Sequence, residues 1–285
     1  MEIRVVLCPI DFSKLAEREL ALAVAVCDAF AARLVLHHNV SAISPAFAKA
    51  WEWDQGHGRD EPSTDEAEKR IEALRARLPA EIRRRTEAVI THGPLARVVL
   101  ALAETLPADV LVLGTHGWST EDHASVTERV IERAPCPVLT LGDASGLETF
   151  RLKPEHGGEM PRLVVPTDFS PAAAKAADWA IALARALPLR LDLLHVTQDA
   201  AGRDAMDALD RLVPADLRER VECHLRVGRT EEEIEAFVRR AKPELVVMGT
   251  HARTLWRRLF APDVARRLLH GTLCPVCFVP PTTPC

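Results

Sequence analysis

Short apolar runs of strand length alternate along the chain with longer segments in which apolar residues recur at helical spacing. In the second half the strand-like runs are RLVVPT, LRLDLLHV, ELVVMG and CPVCFV, and the helix-like segments are AAAKAADWAIALARAL, DAMDALDRL and EEEIEAFVRRA. Ser170 and Pro171 predict a helix start, with the serine as N-cap and the proline in the first helical position. Strands that alternate with helices predict a parallel sheet with helices on both faces.

Four landmarks of this pattern occur twice, in the same order. PIDFS returns as PTDFS at an offset of 157 residues, and LHHNV, ending at Val40, returns as DLLHV, ending at Val196, at an offset of 156. LVLGTHG returns as LVVMGTHA, which matches Gly114 with Gly249 at an offset of 135, and CPVL returns as CPVC at 138. A repeat of this length predicts two homologous domains rather than a solenoid.

We therefore predict an α/β protein of two tandem doubly wound (Rossmann-like) domains, each a five-stranded parallel sheet flanked by helices. The first domain is predicted over residues 1–142 and the second over residues 161–285. Residues 143–160 are rich in glycine, proline and charge, as is typical of a linker.

Composition narrows the classes of partner. The chain has 285 residues, 48% of them hydrophobic, and a formal net charge of −5, which offers no overall attraction for nucleic acid or anionic lipid. No run approaches the roughly 18 apolar residues of a membrane span, and the N-terminus lacks the pattern of a signal peptide. Most cysteines lie in apolar runs, which suits buried thiols in a reducing compartment. We expect a cytoplasmic protein without nucleic-acid or membrane partners.

Taken together, the landmarks resemble the universal stress protein (UspA-like) family in its tandem form. The resemblance is carried by P(I/T)DFS, the histidine–valine end of the second strand, the GTH turn and the CPV that opens the last strand. It implies a cytoplasmic stress-response protein. Some members of the family bind ATP and others do not. Many members dimerise through the edge strand that ends the domain. We therefore expect the strands that start near Pro137 and Pro275 to pair as an internal pseudo-dimer.

The resemblance also implies a nucleotide site. In the nucleotide-binding members, the aspartate after the first strand and the valine that ends the second contact the adenosine, and a glycine-rich pattern wraps the phosphates. Glycines let the backbone approach an anion that the N–H groups of the next helix face. The first-domain candidates are Asp11, Val40, Gly114, Gly117 and Ser125, and those of the degenerate second site are Asp168, Val196 and Gly249. The implied cofactor is ATP with Mg²⁺.

Both phosphate loops depart from the family pattern. The first loop is three residues short and carries Glu121 and Asp122, and one such charge 4 Å from a phosphate costs roughly 4 kcal/mol at an effective dielectric of about 20. The repulsion is avoided only if these carboxylates point outward or hold Mg²⁺. In the second loop Pro262 has no N–H to offer, and Asp263 competes for the amides that a phosphate needs. We therefore expect degenerate nucleotide sites.

The positions of the cysteines and histidines along the predicted strands disfavour a redox pair and a shared metal ion. Cys274 and Cys277 resemble a redox pair, but they open a strand, along which residues three apart face opposite sides. His37 and His38 are adjacent on a strand, so their side chains also point to opposite faces and cannot easily share one ion. We predict neither a redox centre nor a metal site from these residues.

An aromatic-rich insertion distinguishes the first half. About twenty-one residues after its second strand have no counterpart in the second half, and they include Phe47, Trp51 and Trp53. Either the tryptophans pack onto the second domain, or the insertion forms a lid or a docking patch near the first site. Loss of residues 45–58 is expected to leave a folded protein with altered binding.

The predicted function follows from these interpretations. Asp11, His116 and Ser125 could form a hydrolytic triad, but no Gly-x-Ser-x-Gly elbow supports a nucleophile. We favour a non-enzymatic stress-response protein that binds a small molecule or a protein partner. The alternative is an ATP-binding switch with slow hydrolysis in the first domain.

Overall fold

The computed structural model describes residues 1–13, 16–40, 63–114, 126–141, 150–154, 158–198, 203–250 and 274–281. Ten strands in these ranges form one sheet with the order β3-β2-β1-β4-β5-β10-β9-β6-β7-β8. The strands are β1 Val5–Pro9, β2 Arg33–Val40, β3 Thr86–His92, β4 Val110–Gly114, β5 Val138–Leu141, β6 Arg162–Pro166, β7 Arg190–Thr197, β8 Val221–Val227, β9 Leu245–Gly249 and β10 Val276–Val279.

Each half contributes five parallel strands in the same order, which is the predicted doubly wound arrangement. The described helices are α1 Ala16–Phe30, α2 Thr64–Ala76, α3 Ala80–Arg84, α4 Leu95–Thr105, α5 Val126–Ile131, α6 Pro171–Ala186, α7 Arg203–Leu212 and α8 Thr230–Ala241, with a 3₁₀ helix at Ala215–Arg220.

The two halves meet at their last strands. β10 pairs with β5 antiparallel, with Cys277 opposite Leu139, and all four residues of each strand are buried. The Thr140 hydroxyl donates across the junction to the Val276 carbonyl at 3.2 Å. Each strand would otherwise expose an apolar edge, so pairing covers both edges at once. The expected pairing of the strands that start near Pro137 and Pro275 is confirmed.

Helices cover both faces of the sheet. One core contains the buried faces of α1 and α6, and it includes Leu22 and Trp179. The other core contains the buried faces of α4, α5 and α8, and it includes Val99 and Phe237. Apolar residues on both sides of each central strand explain the near-continuous hydrophobic runs in the sequence.

The predicted start of α6 is confirmed at the level of atoms. The Ser170 hydroxyl accepts a hydrogen bond from the Ala173 amide at 3.2 Å, and Pro171 occupies the first turn. The first half starts α1 in a related way, since the Ser13 hydroxyl accepts from the Ala16 amide at 3.3 Å.

The two outer strands of the sheet, β3 and β8, were not among the apolar runs from which strands were predicted in the sequence. β8 has the sequence VECHLRV and is only partly buried along most of its length, as is β3. Each lies at an outer edge of the sheet, next to β7 or β2 alone among the described strands. An edge strand has less apolar surface to bury, so its sequence carries a weaker hydrophobic signal.

Candidate functional site

The candidate site lies at the carboxyl ends of the central strands of each half. In the first half β1 sits between β2 and β4, and in the second β6 sits between β7 and β9. The chain order reverses at β1 and β6, and ligands of open parallel sheets bind in the crevice at such a reversal. Asp11 follows β1, Val40 ends β2 and Gly114 ends β4, so the topology brings these three positions to one end of the sheet.

The aspartate after the first strand builds the same turn in both halves. An Asp11 carboxylate oxygen accepts from the Ser13 amide at 2.9 Å, and Asp168 accepts from the Ser170 amide at 2.9 Å. The phenylalanine between them adopts a left-handed backbone conformation, with φ of 58° at Phe12 and 60° at Phe169. This conformation is uncommon for a residue with a bulky side chain.

In each half the ring of the left-handed phenylalanine lies against a histidine ring in a tilted arrangement. The Phe12 ring lies 4.4 Å from the His38 ring between centroids, and the Phe169 ring lies 4.6 Å from that of His195. Each histidine donates from Nδ1 to the backbone carbonyl at the end of the first strand, His38 to Ile10 at 2.7 Å and His195 to Thr167 at 2.8 Å. The repeated histidine therefore has a structural role in both halves.

The register of the sheet corrects one sequence match. Pro9 lies opposite His37, and Pro166 lies opposite Leu194, so the offset of 157 continues through the second strand. Asn39, rather than Val40, is therefore the counterpart of Val196. The match at an offset of 156 was wrong by one residue, because it aligned the two valines and ignored the extra residue between His38 and Val40.

A directed hydrogen-bond chain occupies this end of β2 and β3. The Thr91 hydroxyl donates to the Asn39 carbonyl oxygen at 3.0 Å, and the Asn39 amide donates to the Gly93 carbonyl at 2.9 Å. His37 Nε2 lies 2.7 Å from the same Thr91 oxygen. Since the hydroxyl proton is already directed at Asn39, the network assigns the ring proton to His37 Nε2, which donates to Thr91.

His37 is fully buried and neutral. Burial, with the neighbouring His38 as a second cause, lowers the pKa of His37 to about 4. Its Nδ1 is therefore a bare lone pair, and it has no hydrogen-bond partner among the described residues. The second half has apolar Leu194 and Val196 where the first has His37 and Asn39. This hydrogen-bond network is therefore specific to the first half.

A buried carboxyl group lies beside Asp11. Glu19 on α1 is 3% exposed, and burial, followed by the negative charge of Asp11, raises the pKa of Glu19 to about 8. It is therefore mostly protonated at neutral pH and adds little negative charge to the crevice. Its counterpart in α6 is Ala176, also buried, so the second half has a methyl group at this position.

The two strand-end glycines have packing roles that no ligand is needed to explain. The Gly114 carbonyl accepts from the Thr127 hydroxyl of α5 at 2.7 Å. A Cβ atom on Gly249 would lie 2.0 Å from the Ala172 carbonyl oxygen, in the first turn of α6. Glycine lets this helix approach the end of β9 closely.

Several predicted residues lie outside the described part of the chain. They are Trp51 and Trp53 of the insertion, His116, Gly117, Glu121, Asp122 and Ser125 of the first loop, and Pro262 and Asp263 of the second. The predictions about the phosphate loops and the insertion stay predictions.

Comparison with known proteins identifies the family. The model of the universal stress protein family matches residues 2–141 and 160–280. The chain belongs to the universal stress protein family. No curated protein matches the sequence.

Two solved structures share this fold along nearly the whole chain, and a shorter one covers half of it. One, a universal stress protein from Archaeoglobus fulgidus, is 16% identical, covers 98% of this chain and 97% of its own, and has a TM-score of 0.71. A protein of unknown function from Pseudomonas aeruginosa is 14% identical over 98% of this chain and 93% of its own, with a TM-score of 0.61. A shorter universal stress protein from Archaeoglobus fulgidus, solved in complex with dAMP, is 20% identical over 49% of this chain and 98% of its own, with a TM-score of 0.35.

The two cysteines that resemble a redox pair, Cys274 and Cys277, are not activated. Both are buried, and Cys277 lies within β10. Burial, with the charge of Glu244 as a second cause, raises the pKa of Cys274 to about 12, and burial raises the pKa of Cys277 well above its ordinary value. A thiol that stays protonated is a poor nucleophile.

Across the described residues, no helix combines the length and the apolar character that a membrane crossing requires.

The sequence interpretation missed one polar cluster in the second half. Asp192 is 1% exposed in β7, and oxygen or nitrogen atoms of Asp192, Glu222 and His224 all lie within 4.8 Å of one another. A single acidic residue inside the apolar run LRLDLLHV was the available signal. Only the pairing of β7 with β8 reveals its partners.

Proposed function

We propose that this universal stress protein acts in the stress response by binding a small molecule of the nucleoside class in its first half, without catalysing a reaction. The proposed crevice lies at the carboxyl ends of β1, β2 and β4, with Asp11 and Asn39 as its polar side chains. The corresponding place in the second half is proposed to have lost this role.

One observation carries the proposal. The first half has a half-buried Asp11 at the end of β1 and a buried, oriented Asn39 amide at the end of β2. The second half has an exposed Asp168 and an apolar Val196 in these places. Buried polar groups cost free energy unless they are paired, so a polar network kept in only one of two homologous halves suggests a function in that half.

The charges of the crevice side chains suit a ligand that offers uncharged hydroxyl groups to Asp11. Glu19 is mostly protonated at neutral pH, so it adds little repulsion beside Asp11. A carboxylate such as Asp11 accepts hydrogen bonds, which suits the hydroxyl groups of a ribose. Whether phosphates and Mg²⁺ also bind depends on the first loop, and ATP with Mg²⁺ is one ligand that the experiment below tests.

Binding rather than catalysis is supported by the state of the buried nucleophiles. Burial raises the pKa of each of the cysteines Cys8, Cys136, Cys274 and Cys277. These four thiols therefore stay protonated at neutral pH and do not act as nucleophiles.

The test compares equivalent aspartates in the two halves. Isothermal titration of the full chain with adenosine, and with ATP and Mg²⁺, is expected to show one ligand per chain. Asp11→Asn removes a charged acceptor and is expected to weaken binding about tenfold, in line with about 1.5 kcal/mol for a hydrogen bond to a charged group. Asp168→Asn is the matched control, since it has the same turn in the second half, and it is expected to leave the affinity unchanged.

Three results would contradict the proposal. If neither ligand binds the wild-type chain, the nucleoside assignment is wrong and a protein partner becomes the better candidate. If Asp168→Asn weakens binding as much as Asp11→Asn does, the site does not belong to the first half. Release of phosphate from ATP in the same samples would support the switch with slow hydrolysis instead.

A further inference from the structure

Four polar side chains share one face of the sheet at the amino ends of β6, β7 and β8. They are Arg162, Asp192, Glu222 and His224. The candidate nucleoside crevice lies at the opposite, carboxyl ends of the strands, so the two places are distinct. Asp192 is almost completely buried, whereas the Glu222 side chain is 51% exposed and opens the cluster to solvent.

The distances within the cluster are short. His224 Nε2 lies 3.0 Å from Asp192 Oδ1 and 3.8 Å from Glu222 Oε2. Arg162 Nη1 lies 3.1 Å from the other oxygen of Asp192, Oδ2. Oδ1 of Asp192, the glutamate and the imidazole therefore lie close together, while the arginine lies nearer to Oδ2 of the aspartate than to Oδ1, at 3.1 Å against 3.5 Å.

The first half shows that the fold does not need this cluster. The register of β1 and β2 puts Val5 and Val35 where the second half has Arg162 and Asp192. The register of β2 and β3 puts Glu87 and Val89 where the second half has Glu222 and His224. One buried core valine and two partly buried valines that pack against the core are thus replaced by an aspartate, an arginine and a histidine.

The cluster brings two carboxylate groups close together. Asp192 and Glu222 lie directly opposite each other on neighbouring strands, and like charges in this arrangement are destabilising. Arg162 lies 3.1 Å from Oδ2 of Asp192, and Arg190 lies 3.9 Å from Oε1 of Glu222, so Oε2 is the oxygen of Glu222 that faces His224. A cation bound between Asp192 Oδ1 and Glu222 Oε2 would further reduce the repulsion between the two carboxylates.

We propose that Asp192 Oδ1, Glu222 Oε2 and His224 Nε2 bind a divalent transition-metal ion of the zinc type. Zinc binds such nitrogen and oxygen atoms at about 2.0–2.2 Å, so two ligands in a tetrahedral arrangement lie roughly 3.4 Å apart. The 3.0 and 3.8 Å separations bracket that value and need only small side-chain movements. Two carboxylates and one imidazole favour such an ion over calcium, which prefers oxygen ligands alone.

Neighbouring residues position the ligands. Arg162 donates to Oδ2 of Asp192 at 3.1 Å and more distantly to Oδ1 at 3.5 Å, and Oδ1 lies 3.0 Å from His224 Nε2. The ring of Phe237 on α8 lies 4.7 Å from the His224 ring and limits its rotation. Binding requires an unprotonated Nε2, so the ring proton moves to Nδ1 or is released. Three protein ligands with one solvent-exposed member leave a position for water on the ion.

The test is titration of the full chain, freed of metal with a chelator, with ZnCl₂. We expect one site per chain that is weakened at least about tenfold by Glu222→Gln, which keeps the shape of the side chain and removes its charge. The matched control is Glu87→Gln, the counterpart in the first half, which should bind zinc as the wild type does. Zinc should also raise the melting temperature of the wild type and of Glu87→Gln by more than that of Glu222→Gln.

A second variant covers effects on folding. The triple substitution Arg162→Val, Asp192→Val and His224→Val copies the core of the first half, so it should fold and lose the site. If wild type, Glu222→Gln and Glu87→Gln bind zinc with the same affinity and stoichiometry, zinc binds elsewhere and the proposal is wrong. Absence of zinc binding by the wild type would likewise show that the cluster is only an ion-pair network.

Discussion

Gly249→Ala is expected to lower the free energy of unfolding by about 3 kcal/mol, at the upper end of the usual cost of overpacking. The new Cβ atom would lie 2.0 Å from the Ala172 carbonyl oxygen and 2.3 Å from its carbonyl carbon. Real Cβ atoms essentially never come within 3.0 Å of such an atom, so α6 must move away from β9 by at least 1.0 Å, the difference between 3.0 and 2.0. The obstacle is backbone, which cannot rotate away as a side chain can.

Chemical denaturation of the wild-type and variant chains measures this loss. Ala172→Gly is the control, because it removes a side chain at the same contact and leaves the obstructing carbonyl in place. The double variant should therefore be no more stable than Gly249→Ala alone. A loss below about 1 kcal/mol would show that the helix adjusts freely. Because substitutions of Gly249 are expected to destabilise the fold, Asp168 is the better position in the second half at which to test ligand binding.

Glu19→Gln is expected to raise the free energy of unfolding at pH 7 by about 2 kcal/mol. Burial, followed by the charge of Asp11, raises the pKa of Glu19 from 4.5 to about 8 in the folded chain. Between these two pKa values the unfolded chain releases the proton that the folded chain retains, so the free energy of unfolding falls as the pH rises through this window. Below about pH 4.5 Glu19 is protonated in both states, and this loss of stability disappears. Glutamine is uncharged at every pH and does not cause the loss.

Thermal unfolding at pH 5 and pH 7 tests this prediction. The stability gained by Glu19→Gln should be small at pH 5 and larger at pH 7. Glu17→Gln is the matched control, since Glu17 lies on the same helix but its side chain is 72% exposed. Its effect on stability should be small and should differ little between the two pH values. A gain from Glu19→Gln that is the same at both pH values would contradict a raised pKa of Glu19.

The sequence alone determined the architecture. The repeated landmarks predicted two homologous halves, the apolar runs predicted their central strands, and Ser170 with Pro171 predicted the start of α6. These features are local or periodic, since a strand buried on both faces must be apolar along its length and a helix start needs a cap. The pairing of β5 with β10 was also accessible, because the resemblance to the universal stress protein family implied it and an unpaired edge strand invites association.

Only the tertiary structure decided which side chains meet. The register showed that Asn39 is the counterpart of Val196, a relation that an alignment of the two valines concealed. Burial of Glu19 beside Asp11 depends on how α1 packs against the sheet, and the partners of Asp192 depend on the pairing of β7 with the weakly patterned strand β8. The charge and reactivity of these groups are set by neighbours distant in the chain, and hydrophobic periodicity does not encode those contacts.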